Sequence, residues 1–209
     1  MKTIKLSILC IFFSCSVFAE TIEFNADSMS GTVNDANSFT SLVGNAFVKT
    51  NSIELDADLI EIKGTNYRTI NATGTITGTY SEAGFIFSCD SLTYDRELKV
   101  AILKGNVTMH DTENDVDLSS EFIEYNQNTE IANIQIKVKI IQGESTCTSS
   151  FAVYRKNEQI LELNGSPKIT QKEDVFKAHE IMFNLDTEEI TLIGKVHGTV
   201  TDDGEKKED

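Results

Sequence analysis

Proline is almost absent from this chain. Pro167 is the only one in 209 residues. Few apolar residues fall at helical spacing, so the chain is free to form long backbone ladders that proline would interrupt. Long hydrophobic runs are also missing, apart from one at the start. There Lys2 and Lys5 precede the mostly apolar stretch Leu6 to Phe13, and Val17-Phe18-Ala19 puts small residues at −3 and −1 before Glu20. This pattern predicts a signal peptide over 1–19, cleaved after Ala19, and an exported, periplasmic chain. The apolar stretch falls short of the roughly 18 residues of a membrane span. Retention of residues 6–18 as an anchor and lipidation of Cys15 are the alternatives, and Phe13 beside Ser14 departs from a lipobox.

Positive charge is scarce too. Beyond residue 19 there are 16 basic residues against 33 acidic ones, a net charge of −17. That balance excludes a basic nucleic-acid footprint and a polybasic stripe for anionic headgroups. An anionic amphiphile would have to be held by its acyl chains, with its head left outside. Residues 20–200 are expected to form one domain, and the acidic stretch 201–209 a solvated tail.

Chemistry-bearing constellations are missing as well. There is no G-x-S-x-G, no P-loop and no catalytic Cys–His arrangement, and His110, His179 and His197 share no metal spacing. The expectation is therefore no enzyme activity, no cofactor and no metal. Asp111-x-Glu113-x-Asp115-x-Asp117 resembles a calcium loop but lacks the glycine at position six and has Phe122 at position twelve. It reads as a solvated hairpin tip. Beyond the leader only Cys89 and Cys147 remain. They lie two sequence repeats apart, too far for a disulfide between neighbouring strands, and read as small apolar fillers.

The chain does have a degenerate repeat of about thirty residues. One half-unit reads apolar-x-Gly-x-apolar, with its central column at Gly44, Gly74, Gly105, Ile136, Gly165 and Gly194, spaced 30, 31, 31, 29 and 29. The other half-unit carries a small residue followed in most copies by an acid. Its small column is Ala26, Ala57, Cys89, Ser120, Ser149 and Ala178, spaced 31, 32, 31, 29 and 29. Two columns that advance together indicate stacked supersecondary units around one continuous core.

Both halves alternate with period two, as in Ile53-Leu55-Ala57 and Leu42-Gly44-Ala46-Val48. After each small residue the next apolar positions fall at +3 and +5, as at Ile60 and Ile62 or Ile123 and Tyr125. A phase slip that recurs in register predicts a bend along the whole stack. Short polar segments such as Asp95-Arg96-Glu97 and Arg155-Lys156-Asn157 read as hairpin tips, so the stack is antiparallel, with about twelve strands. The fold class expected is all-β, a stack of strand pairs bent lengthwise into a trough.

Gly44-Asn45 and Gly105-Asn106-Val107 alternate with Ala57-Asp58-Leu59-Ile60 and Ser120-Glu121-Phe122-Ile123-Glu124-Tyr125. In this the chain resembles the LptA/OstA family over about residues 20–200. That family is the periplasmic member of the lipopolysaccharide export system, and it shares its domain with LptC and the N-terminal part of LptD. Ile136 in the glycine column, Ser149-Ser150 without an acid and His179 in the acidic column depart from its pattern. The resemblance implies an antiparallel β-jelly-roll, open along one side, that shields acyl chains and joins end to end. It implies lipopolysaccharide or a similar glycolipid as cargo, with LptC-like and LptD-like proteins as inner- and outer-membrane partners. An LptC-like component anchored by residues 6–18 is the alternative in the same exporter, and a closed structural or adhesive β-solenoid is the alternative outside it.

Bulk and a mid-stack position single out Phe85, Phe87, Leu118, Ile123, Tyr125, Ile136, Val138 and Phe183 as the lipid path. Each of these residues taken singly also reads as ordinary core. Asp27, Asp58, Asp90 and Glu121 form an outward acidic column, read as a solvated face or, alternatively, a divalent-cation stripe. The stack begins on one half-unit and stops on the other. Ile22, Phe24, Leu192 and Val196 are therefore expected at edges that self-associate head to tail.

Overall fold

The computed structural model describes residues 22–32 and 38–201. The segments expected as signal peptide, with Cys15, and, beyond Thr201, as acidic tail lie outside the described residues. None of the described helices is long and apolar enough to cross a membrane.

Sixteen strand segments follow in chain order: β1 (Glu23–Asn25), β2 (Ser28–Thr32), β3 (Phe39–Lys49), β4 (Ile53–Lys63), β5 (Thr69–Tyr80), β6 (Phe85–Asp95), β7 (Val100–Asp111), β8 (Val116–Asn126), β9 (Ile131–Gln142), β10 (Ser145–Arg155), β11 (Ile160–Asn164), β12 (Lys168–Gln171), β13 (Asp174–Lys177), β14 (Glu180–Asn184), β15 (Ile190–Ile193) and β16 (His197–Thr199). All pairings are antiparallel, and from β3 to β10 each strand pairs with the next in sequence. Four strands are interrupted at the bend, giving the couples β1/β2, β11/β12, β13/β14 and β15/β16. The sixteen segments thus make twelve bent strands, the number the sequence predicts.

The bend runs where the phase slips. Pairing shifts by one residue between Val43 and Ala46, Asp56 and Leu59, Thr73 and Ile76, Ser88 and Ser91, Lys104 and Val107, and Ser119 and Phe122. These aligned bulges fold the sheet into two wings. One wing runs from β2 through one half of each long strand to β11, β14 and β15. The other runs from β1 through the remaining halves to β12, β13 and β16. The first and last strands do not pair with each other, so the sheet is unclosed.

Every predicted +3 and +5 position is buried between the wings, from Ile60 and Ile62 to Ile181 and Phe183. They join one core cluster that extends from Leu42 to Leu185. Cys89 and Cys147 are free and buried in it. Burial pushes both thiols up, Cys89 to about 11 and Cys147 to about 12, so both stay protonated and inert.

The glycine column does not share the inward face, contrary to the plain alternation expected of it. Leu42, Ala46 and Val48 point in, while Gly44 and Asn45 both take positive φ and form the bulge between them. The acidic column packs over these bulges. The Asp27 carboxylate accepts from Asn45 Nδ2 at 3.0 Å, Asp58 from the Thr75 N–H at 3.2 Å, and Asp90 from Asn106 Nδ2 at 2.8 Å. A Cβ at Gly74 would fall 2.6 Å from that of Asp58. The two columns advance together because each acid needs a residue without a side chain beneath it.

Ile136 is the exception, and its assignment to the lipid path is overturned. It stands at φ 67 in the bulge, where its side chain points outward and is 56 % exposed. Its would-be acidic partner, Glu121, turns instead to Lys137 Nζ at 2.7 Å. A β-branched residue in the left-handed region is strained. Ile136→Gly is therefore expected to stabilise the protein by about 1 kcal/mol, and a melting temperature raised by about 2–4 °C would show it.

Candidate functional site

Phe85, Phe87, Leu118, Ile123, Tyr125, Val138 and Phe183 are all buried in the core between the wings. They do not all share one space. Phe85, Phe87 and Tyr125 line a cavity of about 50 Å³ that also touches Ile53, Leu55, Tyr80, Tyr94 and Met109. A second cavity of about 30 Å³ shares Ile53, Leu55, Ile70 and Tyr94 with it and reaches Arg96 and Lys99. Leu118, with Phe87 and Met109, borders a separate open depression of about 520 Å³, while Ile123 and Val138 are packed core away from these spaces. Phe183 lies beneath a separate polar depression bordered by Gln142, Glu144 and Gln171.

The cavities lie along the seam where the hairpin tips of the two wings approach. The margin of one wing is formed by tips such as Asp95–Val100 and Asn126–Ile131, and that of the other by tips such as Tyr80–Phe85 and Asp111–Val116. Asx turns shape several of them. The Asp95 and Asp111 carboxylates and the Asn126 and Asn184 carbonyls each accept two backbone N–H groups from the following turn. No strand ladder crosses the seam among the described residues. Side chains cross it instead, and because the wings twist, each tip meets a strand lying well further along the chain. The Tyr80 and Phe85 rings meet the edge of Tyr125 at 6.4 and 5.0 Å.

One repeat on, the crossing is ionic. Lys156 Nζ donates to both Asp111 oxygens at 2.8 and 2.9 Å and lies 2.7 Å from Glu113. The Tyr154 hydroxyl donates to Asp111 at 2.8 Å, and Asn114 Nδ2 donates to both Asp111 and Tyr154. Asp111 is 2 % exposed and Lys156 4 %. Glu113, Asp115 and Asp117 are exposed, as the solvated tip read from sequence expects, but Asp111 is buried and forms a latch across the seam. Burial pushes the Asp111 carboxyl up, but hydrogen bonds from Lys156, Asn114 and Tyr154 outweigh it and hold it below the ordinary value of 3.8.

Asp111, Asn114, Tyr154 and Lys156 were missed as a group by sequence reasoning, and so was Tyr80 at the cavity mouth. The repeat held a signal for Asp111, a charge in the otherwise uncharged column of Tyr80 and Gln142, whereas Lys156 shares its column with Arg96, Gln127 and Leu185 and does not stand out. The four expected edge residues do lie at the ends of the stack. Phe24 on β1 is 51 % exposed, Ile22 precedes β1, Leu192 is on β15, and Val196 precedes β16. Among the described residues, β1 pairs only with β3, β15 only with β14 and β16 only with β13.

Residues 88–189 match the model of the family described as LptA/(LptD N-terminal domain) LPS transport protein. Among solved structures the chain is similar to LptH, the LptA homologous periplasmic component of the conserved lipopolysaccharide transport device from Pseudomonas aeruginosa. The identity is 10 %, the alignment covers 87 % of this chain and 95 % of that one, and the TM-score is 0.27. No curated protein matches. Residues 88–189, from within β6 to just past β14, are therefore the part of the chain that is similar to the LptA/LptD N-terminal domain of lipopolysaccharide transport proteins.

Proposed function

We propose that this protein is a periplasmic transport component, not an enzyme, that carries lipopolysaccharide or a related glycolipid from inner to outer membrane along the space between its wings. The observation that supports this most is a single apolar interior running the length of an unclosed sheet whose seam is spanned by side chains alone. Such a seam can part without breaking a strand ladder, so acyl chains can enter from the side while their charged heads stay in water. At the two ends the unpaired edges of β1, β2, β15 and β16, with Ile22, Phe24, Leu192 and Val196, would pair with another copy or with LptC-like and LptD-like jelly-rolls.

Photo-crosslinking side chains placed at Phe87 and Leu118 are expected to label with lipopolysaccharide in cells. The same groups at outward Asp58, Glu121 and Ile136 are expected to label far less. Equal labelling at the two sets would overturn the reading. One observation favours a rival reading, a structural stack with a filled core: the inward residues are already closely packed. Mass spectrometry of lipids that co-purify with the protein separates the two, since a filled core carries none.

A further inference from the structure

The inward aromatic column contains three tyrosines, and two have hydroxyl partners. Tyr94 donates to Gln127 Oε1 at 2.9 Å, and Tyr154 donates to Asp111. Tyr125, between them in the repeat, is 3 % exposed, and its hydroxyl is the one buried side-chain polar atom without a partner among the described residues. The repeat explains why. Gln127 serves Tyr94, and the residue one repeat on from Gln127 is Lys156, which is held by Asp111 and Glu113.

An unpaired buried hydroxyl is costly, and this one borders the apolar seam cavity. A water molecule there would want about three polar partners. The lining offers few: the Tyr94 hydroxyl is committed to Gln127, and that of Tyr80 donates to Glu82 at 3.0 Å. Burial raises the Tyr125 hydroxyl above its ordinary value, so it stays a neutral donor. The complement of this space is an apolar chain that carries one hydrogen-bond acceptor.

We infer that the seam cavity at Tyr80, Phe85 and Tyr125 is a binding site for one ester-linked acyl chain, with the Tyr125 hydroxyl donating to the ester carbonyl. This rests on the lipid-carrying reading above and gives it a specific position. The chain would extend from Tyr125 into the adjoining space beside Ile53 and Ile70 as the wings part, since cavities of about 50 and 30 Å³ hold only part of it, and its head would stay outside the seam on the Tyr80 side.

The test compares two probes on the full mature chain, 1-myristoyl-lysophosphatidylglycerol and its 1-O-tetradecyl ether analogue, both below their micelle concentrations. The ether lacks only the carbonyl and is the more apolar of the two, so a groove without a donor would prefer it. The wild-type protein is expected to bind the ester about five-fold more tightly. In Tyr125→Phe the ratio should fall to about one or invert. The lipid-free variant should melt no lower than wild type, because it loses an unsatisfied hydroxyl. Equal binding of the two probes by the wild type, or an ester preference that persists in Tyr125→Phe, overturns the site while leaving the lipid-carrying reading intact. Binding of neither probe overturns both.

Discussion

Lys156→Met is expected to cost about 3–5 kcal/mol, because it leaves the Asp111 carboxylate buried between the wings without its cation. The methionine fills the space of the lysine stem over the Phe85 ring, which the ammonium now faces at 5.2 Å, so lost packing contributes little. The double variant Asp111→Asn/Lys156→Met should recover most of the loss. No charge then remains in the seam, and asparagine can still accept the N–H groups of Glu113 and Asn114 that shape the tip. Urea denaturation of the two variants and wild type decides the matter. A loss under about 1 kcal/mol in the single variant would mean that the pair is solvated, not buried.

The same carboxylate gives the protein a dependence on acid whose sign is fixed. Asp111 titrates lower in the folded protein than in the unfolded chain. Its stabilising effect is therefore complete above about pH 4, the ordinary aspartate range, and is lost as pH falls through the folded value. In Lys156→Met the order reverses. Burial without the cation raises the carboxyl, so protonation relieves the strain. The gap in stability between wild type and this variant should narrow as pH is lowered from 7 toward 4. If lipid enters through the seam, it has to part Asp111, Asn114, Tyr154 and Lys156, the strongest polar crossing between the wings.

The bend was legible in the sequence because its causes are local and recur. Each bulge needs positive φ, which selects glycine, and each acid packs over that glycine, so both requirements repeat with the period. The inward face was legible for the same reason on the acidic strands, where the +3 and +5 rule holds in the five copies from Ala57 onward and fails only at the first, where Met29 and Gly31 are exposed. It failed at Ile136. A period-two reading carried straight through the bulge counts a bulge residue as inward, whereas the extra residue turns it out. The seam was illegible in detail. Its partners, Tyr80 with Tyr125 and Asp111 with Lys156, are far apart in sequence and are brought together by the twist of the wings, which no local pattern records. Likewise bulk alone does not tell which lipid-path residues border the apolar seam cavity, and only Phe85, Phe87 and Tyr125 do.

The bend itself can be tested where its two requirements meet. Gly74 stands at φ 105, beyond the region that alanine tolerates, and an added Cβ would press on the Asp58 side chain, with Cγ at 2.5 Å and Cβ at 2.6 Å. Gly74→Ala is therefore expected to cost about 2–4 kcal/mol, from backbone strain and from displacing the carboxylate that holds the Thr75 N–H. Gly143 provides the control. It stands at φ 52 with nothing within 4 Å of an added Cβ, so Gly143→Ala should carry only the conformational penalty, about 1 kcal/mol. Asp58→Gly combined with Gly74→Ala should cost clearly less than the sum of the two single changes, because Asp58→Gly removes the side chain with which the new Cβ at position 74 collides. Equal costs at Gly74 and Gly143, or additivity at Asp58 and Gly74, would mean that the acid does not pack over the bulge. The paired columns would then need another cause. A coupled result ties the thirty-residue period to one physical contact, an acid over a bare backbone, repeated until the sheet folds into a trough.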